Sequence, residues 1–113
     1  MKKAYRVKKE AEFQKVFRQG ESVANRQFVV YVLEKPEQAH FRVGLSVGKK
    51  IGNAPTRNAV KRKIRQALTE LDQEQAVKQD RDFLVIARKP TADLSFHELK
   101  KNLIHVLKIA KMI

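Results

Sequence analysis

Between Phe41 and Leu71 the spacing of apolar residues changes from a period of two to a period near 3.6, with a short polar break between the two regimes. Phe41, Val43, Leu45 and Val47 fall on one side of an extended chain, and Arg42, Gly44 and Ser46 on the other. Lys49-Lys50-Ile51-Gly52-Asn53 ends that strand. Pro55 then suits the first turn of a helix, because the amide proton it lacks would have no partner there. A helix of about 18 residues is expected to follow. Strand and long helix in succession call for a sheet with helices packed on it, and 113 residues suit one domain with a single core.

The rest of the chain supplies the remaining layers. Phe13, Val16 and Phe17 lie at helical spacing between Glu10 and Gln19, and Gly20 supplies a stop. Gln27 to Leu33 is apolar on both faces, with Phe28, Val30 and Val32 on one and Val29, Tyr31 and Leu33 on the other, which predicts a central strand. The connection from Glu34 to His40 contains Pro36 and reads as a hairpin, so the strands on either side are expected to pair antiparallel. Phe83 to Ile86 is a continuous apolar run, predicting a buried strand over Asp82 to Ala87 in the same sheet. Ser95-x-x-Glu98 has the spacing of a capping box, and Leu99, Leu103, Val106, Leu107 and Ala110 continue as the stripe of a closing helix. The fold class is α+β, a single domain over residues 1–113. Residues 1–9, with five cations and little periodicity, read as a flexible basic arm that either settles on phosphates or stays solvated.

Charge points to the class of partner. The chain carries 25 Lys and Arg against 12 Asp and Glu, a net +13, and no acid occurs from Gln38 to Thr69. With Arg57 at zero on a helical wheel, Lys61, Arg65, Asn58 and Arg62 lie at about 40°, 80°, 100° and 140°, one polar arc. Val60, Ile64, Ala67, Leu68 and Leu71 occupy a separate arc from about 280° through 20°. A merely solvated face normally mixes signs. This one is built to hold a polyanion, and the helix N-terminus adds its amide protons and positive dipole end.

Other classes find little support. There is no Cys and hence no thiolate zinc site, a composition that suits a reducing cytoplasm. No apolar run resembles a signal peptide or approaches the 18 or so residues that cross a bilayer. His40, His97 and His105 are scattered, the glycines form no nucleotide-binding fingerprint, and no recognisable general base or metal cluster accompanies the basic helix. Phe13, Phe17 and Tyr31 are either core residues or a platform for unstacked bases, each base worth roughly 1–3 kcal/mol on an aromatic face.

Phe13-x-x-x-Phe17, Ser22-Val23-Ala24-Asn25-Arg26-Gln27-Phe28, Arg42-Val43-Gly44-Leu45-Ser46-Val47, Lys49-Lys50-Ile51-Gly52-Asn53-Ala54 and the cluster Arg57 to Arg65 together resemble the bacterial ribonuclease P protein subunit, over nearly the whole chain. The resemblance implies a small basic protein that joins a catalytic RNA and assists magnesium-dependent removal of the 5′ leader from precursor tRNA. The RNA carries the chemistry and holds most of the Mg2+, and the protein alone is inactive. It implies a fold similar to ribosomal S5 domain 2, with about four strands in a mixed sheet, three helices and a left-handed β-α-β crossover. It assigns Arg57, Asn58, Lys61, Arg62 and Arg65 to RNA binding. Phe13, Phe17 and Tyr31 are assigned to the leader, with Ser46 and Lys49 on its rim. No catalytic or metal-ligating residue is expected in the protein, and no membrane or obligate protein partner. The alternatives are a non-catalytic ribosome-associated or general RNA-binding protein of the same fold and, behind it, a stand-alone nuclease. One position departs from the family, whose members commonly read Arg-Asn-Arg where this chain has Arg57-Asn58-Ala59. Ala59 sits about 130° from the centre of the basic arc, so a modest weakening of RNA binding is expected, with Lys63 at about 240° offering charge on that side.

Overall fold

A computed structural model describes all residues from Met1 to Ile113. The elements run α1 (Glu10–Gln19), β1 (Glu21–Ala24), β2 (Phe28–Glu34), β3 (Arg42–Ser46), α2 (Ala54–Gln73), β4 (Arg81–Ala87) and α3 (Phe96–Ile109). Four strands form one mixed sheet in the order β1-β2-β4-β3. β4 is antiparallel to β2 and parallel to β3, so α2 is the crossover of a β-α-β unit.

The sheet separates two unequal layers. Phe28 and Val30 of β2, Val43 of β3, and Phe83 and Val85 of β4 face α2 and α3, forming a core with Val60, Ile64, Leu68, Leu99, Leu103 and Leu107. Val16 and Leu84 are equally buried but lie outside that core, in a thin layer beneath α1 on the opposite face. The alternation in β2 and β3 therefore sorts residues between two covered faces. The Arg42, Gly44 and Ser46 side of β3 looks toward α1.

The expected hairpin between β2 and β3 is not formed, because β4 lies between them. β2 and β4 pair over their whole lengths, from Phe28 opposite Ala87 to Glu34 opposite Arg81. Two strands apolar on both faces bury most when each stands in the sheet interior. The connection after β2 instead crosses the start of β4: Lys35 N–H donates to the Asp80 carbonyl at 2.8 Å and Gln38 Nε2 to the Arg81 carbonyl at 3.0 Å. The hairpin lies between β1 and β2, where Asn25 Oδ1 accepts from the amides of Gln27 and Phe28 at 3.0 and 2.8 Å. β1 is only four residues long and mostly exposed, and its sequence carries no strand period to find it by.

Local expectations for the helices hold. α1 has the bounds read from its spacing, and Ser95 and Glu98 close a reciprocal capping box at 3.2 and 3.1 Å. The N-terminal segment, read as a flexible arm, lies along the free edge of β3. Val7 N–H donates to the Val43 carbonyl at 3.0 Å, and Tyr5 stacks on His40 with ring centroids 4.0 Å apart. Tyr5 and Val7 are apolar anchors among the five cations, and burying them offsets the cost of ordering the segment.

Candidate nucleic-acid interface

α2 opens with a turn that only certain residues permit. Gly52 has φ of +152°, a conformation L side chains rarely adopt. Asn53 then caps the helix, its Oδ1 accepting from Thr56 N–H at 3.0 Å and Thr56 Oγ1 at 2.8 Å. No acidic residue occupies the first turn, so the positive end of the helix dipole is left open to an outside anion. The buried residues of α2 are Val60, Ile64, Ala67, Leu68 and Leu71, the apolar arc read from the wheel.

On the other flank the cations are unneutralised. Ion pairs in the molecule use Arg42, Arg81 and Lys100, and none uses Arg57, Lys61, Arg62 or Arg65. The Nε atoms of Arg57, Arg65 and Arg6 are buried without a hydrogen-bond partner. A buried donor without a partner is costly, so these side chains are held at a cost within the fold. Burial lowers the pKa of Arg65 from its ordinary value, and the neighbouring Arg6 charge lowers it further. Both effects disfavour the charged form until an anion arrives.

Arg6, Lys61 and Arg65 converge on a cleft of about 170 Å³ over the β3 edge, lined also by Phe13 and by Val43, Gly44 and Leu45 of β3. Phe13 lies flat enough on the sheet that a Cβ on Gly44 would stand 2.8 Å from its ring. Phe17, 46% exposed, stacks on Tyr31 with centroids 4.6 Å apart and planes 24° from parallel. A cationic cleft beside an open aromatic stack offers phosphate binding and base stacking together. A larger groove of about 530 Å³, between the β1–β2 pair and the end of α3, mixes Glu21 and Glu34 with Lys78, Arg81 and Lys111 and has no aromatic wall.

Comparison with known proteins decides the family. The ribonuclease P family model matches residues 1–111. The chain belongs to the ribonuclease P protein family. It is 68% identical to the ribonuclease P protein component of Ligilactobacillus salivarius, over 100% of this chain and 98% of that protein. Among solved structures, the Staphylococcus aureus RNase P protein superposes with a TM-score of 0.86 at 48% identity, covering 97% of this chain and 98% of that one. The Thermotoga maritima RNase P protein gives 0.81 at 27% identity, covering 92% and 96%. The chain is thus the protein subunit of ribonuclease P, the ribonucleoprotein that matures tRNA 5′ ends, and an RNA-binding part of a ribonuclease holoenzyme; the general RNA-binding alternative is not favoured.

Within this ribonuclease P protein the sequence-predicted residues do not all share one place. Phe13, Lys61 and Arg65 share the cleft, while Phe17 and Tyr31 form the stack beside it. Arg57 and Asn58 stand on the first turns of α2, and Arg62 joins Arg65 in a shallow groove along the helix. Ser46 ends β3 on the α1 side, and Lys49 is exposed in the 3-10 turn that follows. Lys63, expected to offer charge beside Ala59, donates instead to the Leu94 carbonyl at 2.8 Å, which ties its ammonium to the loop before α3. Sequence reasoning missed Arg6, since an arm without periodicity gives no sign of where it docks, and it missed what Gly44 does for Phe13.

Arg42, on the polar side of β3, is not a free cation. Its guanidinium grips Asp82 with two hydrogen bonds and Glu12 with a third, and Asp82 foremost raises its pKa above the ordinary arginine value. Two carboxylates of α2 are similarly occupied: Glu70 pairs with Lys100 at 2.7 Å and Asp72 accepts from Gln79 at 2.9 Å. No three His, Asp or Glu side chains converge as a metal site, and no helix is long and apolar enough to cross a membrane.

Proposed function

We propose that the protein grips the ribonuclease P RNA through Arg57, Asn58, Lys61, Arg62 and Arg65, with Lys61 and Arg65 also near the leader, and receives the single-stranded 5′ leader of precursor tRNA on Phe13, Phe17 and Tyr31, with Ser46 and Lys49 at the rim. The observation that carries this reading is that two α2 cations without an ion pair, Lys61 and Arg65, share a cleft with Arg6 and Phe13 beside the Phe17–Tyr31 stack. Phosphates along the leader offset the Arg6, Lys61 and Arg65 charges, and unstacked bases replace water on the exposed Phe17 face. Binding energy gathered there holds precursor in preference to mature tRNA. Residues 1–9 complete the cleft through Arg6, in a domain spanning residues 1–113.

The side chains present do not form a magnesium cage: no three carboxylate or imidazole groups come together, and Glu12 and Asp82 are bound to Arg42. Mg2+ belongs to the RNA in this reading, and the protein's part is to add cationic charge and orient substrate in the bacterial cytoplasm. The test is reconstitution with the RNA subunit at low magnesium. Tyr31→Ala is expected to weaken leader-bearing precursor by about tenfold, roughly one stacking contact, while mature tRNA affinity stays constant. Equal losses for both substrates would remove Tyr31 from the leader site.

A further inference from the structure

α1 carries the aromatic platform, yet the apolar layer beneath it is thin. What ties its first turn to the sheet is a chain of charges through three elements. Arg42 of β3 donates from Nε to Asp82 Oδ1 at 3.0 Å and from Nη2 to Asp82 Oδ2 at 2.6 Å, while Nη1 donates to Glu12 Oε2 at 2.5 Å. Arg42 and Asp82 are register partners on parallel strands, and Asp82 is only 1% exposed. A two-point grip on a buried carboxylate leaves the planar guanidinium little freedom. Its third bond reaches Glu12, the residue before Phe13.

We propose that Arg42 and Glu12 are positioning residues for the leader: Asp82 fixes the guanidinium, the guanidinium fixes the first turn of α1, and that sets Phe13 and the Phe17–Tyr31 stack against the cations of the cleft. This rests on the leader site proposed above. Arg42 is a cation on the polar side of β3, but three of its five N–H donors are held by carboxylates. Glu12 has a second distinguishing property, because it is an acid close to an RNA-binding cleft. Removing it should tighten RNA binding if only long-range charge matters, and weaken leader binding if it holds α1 in place. The two accounts differ in sign.

The experiment uses the full chain reconstituted with the RNA subunit and compares Glu12→Ala, Glu12→Gln and Tyr31→Ala on leader-bearing precursor and mature tRNA across a salt series. Glu12→Ala is expected to weaken precursor binding by roughly threefold to tenfold, a fraction of one or two stacking contacts, with mature tRNA affinity unchanged. Glu12→Gln, whose amide oxygen still accepts from Arg42, should recover part of the loss. The salt slope should stay at its original value in both, since no phosphate contact is removed. Unchanged or tighter precursor binding would overturn the proposal, as would equal losses on the two substrates. If Glu12→Ala melts early, the isosteric Glu12→Gln carries the test alone. A leader-specific loss with Tyr31→Ala but none with either Glu12 variant refutes the positioning role only; no loss with Tyr31→Ala refutes the leader site beneath it.

Discussion

Arg65→Met should have opposite effects on the free protein and on its complex. In the cleft Arg65 stands with Arg6 and Lys61 and no acid, its Nε unpartnered, and burial together with the Arg6 charge holds its pKa below the ordinary arginine value. For a base so shifted the charged form is the one destabilised in the fold, and at neutral pH, far below both values, that penalty is fully present. Methionine keeps most of the apolar stem and removes the charge, so the free protein should melt at a higher temperature. RNA binding should respond the other way. Each phosphate contact to a single strand contributes about 0.7 to the slope of log affinity against log salt. Three contacts in the cleft make affinity for a short single-stranded RNA fall about 18-fold between 50 and 200 mM salt, and two contacts about sevenfold. Fluorescence anisotropy over that range reads the slope, and a thermal melt without RNA reads the stability. An unchanged slope would take Arg65 out of the phosphate site. A lower melting temperature would show that the relief of buried charge has been misjudged.

Two further outcomes follow from the same geometry. Gly44→Ala places a methyl group 2.8 Å from the Phe13 ring and 2.9 Å from Leu84, so overpacking should cost about 1–3 kcal/mol in a urea melt and displace Phe13, weakening leader-bearing precursor as well. Acid should loosen the helical layer, because the pKa of Glu98 is lowered by the Ser95 backbone hydrogen bond and that of Glu70 by Lys100. Carboxylates with lowered pKa stabilise the fold above their ordinary value of 4.5, and that contribution is lost as pH falls through the lowered values. Melting temperature should therefore drop below pH 4.5 in the parent and drop less steeply in the double variant Glu70→Gln, Glu98→Gln; identical pH profiles would count against both assignments.

Elements whose signals repeat within one or two helical turns were legible from residues alone. The α1 bounds, the Asn53 turn, the Ser95–Glu98 box and the division of α2 into buried and cationic arcs all rest on residues three or four apart. Strand pairing was not legible in this way. A run apolar on both faces says that a strand is interior but not which neighbours it takes, and β4 entered between β2 and β3 from forty residues away in sequence. The same distance hid the partners of Arg42: its charge is visible in the sequence, but Asp82 becomes its neighbour only through the parallel register.

The candidate interface divides along the same line. By itself the sequence determined that this protein carries a helix with a buried flank and a cationic arc that is free of acid as far as Thr69, because composition and helical period are properties of a continuous stretch. Only the tertiary structure decided which cations act together. It brought Arg6 from an aperiodic arm to Lys61 and Arg65, turned Arg42 and Lys63 away from solvent onto protein acceptors, and laid Phe13 on a glycine where a side chain would have lifted it. The physical reason is that a charge is free or spent according to what lies within hydrogen-bond reach, and for these residues that reach is set by strand order and by packing across the sheet.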